Sequence, residues 1–274
     1  MPQPYTVLFD LDGTLLDTLG DITDAINFAL CTLGFPEKTK AEVRAAVGNG
    51  LRKAIEAALP DAATMATAAA TGGEAATTAD AAADAAATTT ADAVDAAIRL
   101  YRERYQECYM NRTQPYPGIM DALRELAGRG YATVVLSNKS DTFTNNLVKH
   151  YFGGLVTAAA GERPGVPLKP APDAVFDLLS RVGGDPGRAV YVGDSEVDIA
   201  TAQNAGIPCI LVSWGFRGRE ELMRACCGAI VNADEYAASA PIVDTVGECA
   251  ASVPIVDTAG ELLTCIYTFA ANGA

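Results

Sequence analysis

Apolar positions along this chain change period several times, and those changes mark out its elements. Tyr5-Thr-Val-Leu-Phe9, Tyr131-Ala-Thr-Val-Val-Leu136 and Arg188-Ala-Val-Tyr-Val192 are short unbroken runs rich in β-branched and aromatic residues, which predict buried strands. Between the first two runs the period becomes helical. Ile22, Ala25, Ile26, Ala29, Leu30 and Leu33 share one face, with Gly34 as a stop. Thr39-Lys-Ala-Glu42 is a capping box opening a second helix with Val43 and Val47. Gly48-Asn-Gly50 breaks it, and Leu51 to Leu59 resumes. Val94, Ile98, Tyr101, Tyr105 and Tyr109 form one stripe over 94–110. Further helical patterns follow at Val175, Leu178, Leu179 and Val182, and from Ala259 to Phe269. Strands that alternate with helices predict an α/β core with a mainly parallel sheet. The gap from Asp12 to Ser137 is too long for one crossover, so residues 18–114 are expected to form an inserted helical domain. Residues 1–17 and 115–274 then make a discontinuous core, re-entered at Pro115-Tyr-Pro-Gly118.

Two segments lack this patterning. Residues 61–97 are almost all Ala, Thr, Asp, Gly and Glu and carry few large apolar side chains. They are expected to be a solvent-facing helix or a mobile insertion. Near the C-terminus Pro241-Ile-Val-Asp-Thr-Val-Gly-Glu248 returns as Pro254-Ile-Val-Asp-Thr-Ala-Gly-Glu261. Two copies are too few for a solenoid, so a lengthened last connection is expected.

Composition narrows the classes. The 274 residues allow one large or two small domains, and 50% are hydrophobic. With 34 acids against 20 bases the net charge is −14, which argues against nucleic acid or an anionic membrane as partner. A cation and a local lysine can still reverse the field in one pocket and admit an anionic substrate. No apolar stretch is long enough for a transmembrane helix, and no signal peptide is read at Met-Pro-Gln-Pro. Seven cysteines without metal spacing suit a reducing cytoplasm. Cys31, Cys108, Cys209 and Cys265 are expected in the core, and His150 at a helix-end surface.

The candidate chemistry sits at the strand ends. Asp10 and Asp12 follow the first strand, and residues two apart on an extended chain face one site. Two such acids repel unless a cation or a proton intervenes. The second strand ends at Ser137-Asn138-Lys139, Lys169 precedes a helix, and the third strand ends at Gly193-Asp194-Ser-Glu-Val-Asp198. In open parallel sheets the carboxyl ends of the strands share one rim, where ligands bind, so these segments can converge.

Taken in order, acid pair, hydroxyl, lysine and second acid pair resemble the signature motifs of the haloacid dehalogenase superfamily. The resemblance covers Tyr5 to Asp17 and about Tyr116 to Phe216. It implies a three-layer, Rossmann-like core, with the helical insert in the position of a C1-type cap. It also implies a Mg²⁺-dependent phosphatase acting on a small phosphorylated metabolite. Asp10 would be the nucleophile and Asp12 the acid and base. Ser137, the Asn138 backbone N–H and Lys169 would hold the phosphoryl group. The Asp10 and Asp194 carboxylates and the Asp12 carbonyl would hold the metal. Asp198 would orient a metal-bound water, Asp17 would cap the following helix, and Lys139 would be solvated. Val47-Gly-Asn-Gly-Leu-Arg52, Pro115-Tyr-Pro-Gly118 and Ser213-Trp-Gly-Phe-Arg217 most resemble bacterial phosphoglycolate phosphatases. That makes 2-phosphoglycolate the favoured substrate, with Asn49 and Arg52 as candidate specificity residues. The alternatives are a sugar-phosphate phosphatase, a pyrophosphatase, a β-phosphoglucomutase-like enzyme or a non-catalytic binding protein.

Overall fold

The computed structural model describes residues 5–60, 79–231 and 253–272. The chain divides into two compact units, Met1–Asp17 with Gln114–Ala274, and Thr18–Thr113. Residues 61–78 and the first copy of the repeat lie outside the described residues.

The first unit is built on a six-stranded sheet. Its strands are β1 (Thr6–Phe9), β4 (Ala132–Ser140), β5 (Ala158–Glu162), β6 (Ala189–Gly193), β7 (Cys209–Val212) and β8 (Ile255–Val256). They lie in the order β5-β4-β1-β6-β7-β8, and every pairing is parallel. The α/β fold expected from the alternating pattern is thus observed. β1 is central, with Thr6 level with both Ala132 and Ala189. All four of its residues are buried, which is why the strand reads as an unbroken apolar run. From β1 the chain proceeds to β4 and β5 on one side, and β6, β7 and β8 fill the other. That reversal places a topological switch point at the carboxyl end of β1. A separate two-stranded ribbon, β2 (Leu16–Asp17) with β3 (Gln114–Pro115), brackets the insertion.

The second unit holds α1 (Leu19–Thr32), α2 (Lys40–Ala46), α3 (Leu51–Ala58) and α4 (Ala79–Cys108). α1 packs on α4 through Ile22, Ala25, Ile26, Ala29 and Leu30 against a buried stripe of Val94, Ala97, Ile98, Tyr101 and Tyr105. The Tyr101 and Tyr105 rings stack at 5.2 Å. α2 opens with the expected capping box, in which Thr39 Oγ1 accepts from Glu42 N–H and Glu42 accepts from Thr39 N–H. α4 begins fifteen residues before the apolar stripe. Alanine-rich sequence has high helix propensity, which favours a helix over this stretch. Asp21, fully buried in α1, accepts from the Arg112 and Thr113 N–H groups and the Thr113 hydroxyl, tying the two ends of this unit together. Arg52 is engaged within the unit, 2.5 Å from Asp95.

The helices of the first unit are α5 (Ile119–Gly128), α6 (Asp141–Tyr151), α7 (Asp173–Val182), α8 (Glu196–Ala205), α9 (Arg219–Val231) and α10 (Ala259–Asn272). Val175, Leu178 and Leu179 of α7 and Ile199 and Ala202 of α8 close one core with Leu8, Val134, Tyr191 and Leu211 of the sheet.

Several expectations are corrected. The second repeat copy is more than a connection, because Ile255 and Val256 form the sheet's edge strand beside β7. Asp17 lies in β2, and the N-cap of α1 is Thr18, which makes no side-chain capping bond. Cys31 is exposed because it falls on the outer face of α1, whereas Cys108 and Cys209 are buried. His150 is exposed near the end of α6, as expected. Among the described residues no helix is long and apolar enough to cross a membrane.

Candidate active site

Asp10 continues directly from β1, where its N–H still donates to Val192 O at 2.8 Å. Asp194 continues in the same way from β6, the neighbouring strand. Parallel pairing therefore sets two acids side by side on the rim. Lys169 reaches the same point from the segment before α7. Its Nζ lies 2.8 Å from both Asp10 Oδ1 and Asp198 Oδ1. The Tyr191 ring lies 5.7 Å from the ammonium.

Asp198, fully buried, has both oxygens engaged. One takes the Lys169 ammonium, and the other accepts from the N–H groups of Asp194 and Ser195 and from the Ser195 hydroxyl. It thereby caps α8 and fixes the turn that carries Asp194. A side chain at Gly193 would collide with the Asp198 carboxylate. Asp194 accepts from the Thr14 hydroxyl at 3.2 Å and from Phe216 N–H at 2.6 Å. Trp214 Nε1 donates to Thr14 O at 3.1 Å, which pins the Thr14 turn to the loop after β7. Gly13 has φ +89°, and a Cβ there would collide with Asp194. Only glycine both adopts this turn and leaves room for the carboxylate.

Asp12 is held separately. Its Oδ1 lies 3.0 Å from Lys139 Nζ, and its Oδ2 accepts from Ser137 Oγ at 3.3 Å. Lys139 is not solvated as expected: its side chain is 8% exposed. Ser137 and Lys139 are two apart on β4, so both reach the same partner. Asn138, between them, turns to the Lys169 backbone: Nδ2 donates to Lys169 O at 3.1 Å, and Oδ1 accepts from Lys169 N–H at 2.8 Å. Its side chain thus positions the lysine.

The electrostatics follow from burial. Desolvation pushes the Asp10 carboxyl up from 3.8 to about 7; Lys169 opposes the rise, and the Asp198 and Asp12 charges add to it. Asp194 is raised well above the usual range by burial and by the Asp198 and Asp10 charges, against the Phe216 N–H and Lys169. Burial would lower Lys169, but Asp10 and Asp198 outweigh it and hold the amine well above its ordinary value. One lysine thus serves three buried acids, a deficit of positive charge that a cation would relieve. One oxygen each of Asp10, Asp194 and Asp198 lies within 4.8 Å of the others, close enough to hold a metal ion. Asp198 is already committed to Lys169 and the turn, so Asp10 and Asp194 are the better donors. All are hard oxygen ligands, which fit a divalent cation that retains several waters.

Every residue singled out at the strand ends therefore lies on this rim: Asp10, Asp12, Ser137, Asn138, Lys169, Asp194 and Asp198. Thr14 and the Phe216 N–H carry no expectation from the sequence, and Lys139, expected to be solvated, instead pairs with Asp12. Its two-residue spacing from Ser137, like that of Asp12 from Asp10, is the signal that points both side chains to one site.

Comparison with known proteins agrees with this geometry. The model for haloacid dehalogenase-like hydrolases matches residues 5–206, and a HAD-hydrolase-like model matches 167–249. The phosphoglycolate phosphatase of Mesorhizobium japonicum is 31% identical over 222 residues, covering 80% of this chain and 86% of that protein. That of Caulobacter vibrioides is 30% identical over 212 residues, covering 77% and 80%. Among solved structures, a proposed phosphoglycolate phosphatase from Lactobacillus delbrueckii subsp. bulgaricus is similar with TM-score 0.73 and 28% identity, over 96% of this chain and 98% of that one. With the acid pairs, hydroxyl and lysine gathered on one sheet rim and this breadth of similarity, the chain belongs to the haloacid dehalogenase-like hydrolases and is a phosphatase of phosphate monoesters.

Proposed function

We propose that this phosphatase hydrolyses 2-phosphoglycolate, with Mg²⁺, through an aspartyl-phosphate on Asp10. The observation that carries the mechanism is the division of the first acid pair. Asp10 is paired with Lys169 in a dry site, and Asp12 is held apart by Lys139 and Ser137. The substrate assignment is supported by the names of the relatives.

In the first step an Asp10 carboxylate oxygen attacks phosphorus. The ester P–O bond breaks, its electron pair leaves with the alkoxide, and Asp12 supplies the proton. In the second step a water oxygen attacks phosphorus and its proton passes to Asp12. The P–O bond to Asp10 breaks and returns its electrons to the carboxylate, releasing inorganic phosphate. Lys169 neutralises phosphoryl charge, and Ser137 Oγ and the Asn138 N–H bind phosphoryl oxygens. The Asp10 and Asp194 carboxylates and the Asp12 carbonyl would hold Mg²⁺, which supplies further charge neutralisation when bound. Thr18–Thr113 would serve as the inserted cap domain. A reducing cytoplasm suits the free thiols among the described residues.

A panel of phosphate esters assayed with and without Mg²⁺ tests this reading. Phosphoglycolate should give the highest kcat/KM, and chelation should abolish turnover. Preference for a sugar phosphate would overturn the substrate, and full turnover in chelator would overturn the metal.

A further inference from the structure

Lys139 has no part in the proposed steps, yet its side chain is largely enclosed. Its ammonium lies 3.0 Å from Asp12 Oδ1, and its own backbone N–H donates to Ser137 Oγ at 3.1 Å. That hydroxyl in turn donates to Asp12 Oδ2 at 3.3 Å. Lys139 thus reaches the Asp12 carboxylate by two routes, one through charge and one through Ser137. The lysine side chain is 8% exposed and that of Asp12 is 16% exposed, so solvent screens the pair poorly. The two contacts fix both oxygens and therefore the plane of the carboxyl group.

We infer that Lys139 is the positioning residue for Asp12, holding its carboxylate where it accepts the proton of the attacking water. The inference rests on the aspartyl-phosphate reading. Ser137 cannot do this work throughout the cycle. Once its hydroxyl turns to a phosphoryl oxygen, it leaves Asp12, whereas the ammonium contact to Oδ1 does not depend on that hydroxyl. The contribution therefore falls on the second step. There the water proton moves to Asp12, the P–O bond to Asp10 breaks, and phosphate departs. The first step needs Asp12 least when the leaving group is already acidic, as with nitrophenol.

The test is acid-quench kinetics with radiolabelled nitrophenyl phosphate on wild type, Lys139→Met and Lys139→Arg, all in Mg²⁺. In Lys139→Met, phosphoenzyme should form at a rate within about threefold of wild type, which also reports an intact fold and site. Its breakdown should slow by about tenfold to a hundredfold, the scale of a misplaced catalytic group, so that label accumulates in the steady state. Lys139→Arg should restore most of the breakdown rate, because the guanidinium keeps the charge and a donor. Normal breakdown in Lys139→Met would overturn the inference. So would an effect confined to KM for phosphoglycolate, since that would make Lys139 a substrate contact. Absence of any phosphoenzyme in all three proteins during sustained turnover would instead overturn the aspartyl-phosphate reading itself.

Discussion

Asp10, Asp194 and Asp198 sit with Lys169 in a cluster that water scarcely reaches; Asp194 and Asp198 accept from backbone N–H groups, and one ammonium contacts both Asp10 and Asp198. Asp12, two residues from Asp10, keeps some exposure, and the Lys139 ammonium and the Ser137 hydroxyl contact its two carboxylate oxygens. Backbone donors on rigid strand ends cannot move far, so Asp194 and Asp198 suit fixed roles, a proposed metal ligand and the latch that holds its turn. Side-chain donors can exchange partners, which suits a group that gives up and takes back a proton. The like-charge conflict posed by the acid pair is eased by separate lysines, Lys139 beside Asp12 and Lys169, shared with Asp198, beside Asp10.

The sharpest way to break this contrast is to remove the proposed nucleophile. Asp10→Asn should lower kcat by about 10⁴-fold or more on any ester while leaving the far-UV spectrum unchanged. Residual turnover within tenfold of wild type would dissolve the distinction between the two acids. Next in size, Asp12→Asn should cost about 10²–10⁴-fold on alkyl phosphates. The loss should be smaller for phosphoenzyme formation from nitrophenyl phosphate, and Mg²⁺ should still raise Tm. Equal losses in formation from both ester classes would mean that Asp12 does not move the proton to the leaving group.

Asp198→Asn keeps the shape of the latch but weakens its hold on Lys169 and on the Asp194 turn. It should reduce Mg²⁺ affinity by about 10–100-fold, as loss of an orienting partner does, read as a shifted midpoint in a Tm titration. An unchanged midpoint would make Asp198 a helix cap and nothing more.

The smallest effect is on stability in metal-free buffer. The folded Asp10 carboxyl keeps its proton to about pH 7, against 3.8 for an ordinary aspartate. That preference favours the fold below the lower value and is lost as the pH rises through the upper one. Asp10→Asn has no such loss. Its Tm relative to wild type should therefore rise by a few degrees between about pH 4 and pH 8. A pH-independent difference would show that Lys169 fully compensates the buried charge.

Much of this was legible in the sequence, for reasons that individual residues make plain. Strands buried on both faces announce themselves as apolar runs, so β1, β4 and β6 were evident, and the acids at their ends followed. Lys169 was placed by its position before a helix pattern. Lys139 was misjudged because charged side chains are usually solvated and nothing in its immediate neighbours marks burial. The Phe216 N–H on Asp194 was invisible, since a backbone donor carries no side-chain signal. The edge strand at Ile255–Val256 is too short to show alternation. The early start of α4 at Ala79 rests on propensity in a segment with no apolar period to read.

The claim on which the account turns is that Asp10 becomes covalently phosphorylated. Acid-quenching the enzyme during turnover of a phosphate ester in Mg²⁺, then mapping the digest by mass spectrometry, reads it directly. A phosphoryl increment is expected on the peptide that contains Asp10, lost on alkaline treatment and absent from Asp10→Asn. A phosphoryl group on another residue, or sustained turnover with no modified peptide under conditions where Lys139→Met also accumulates none, would contradict it.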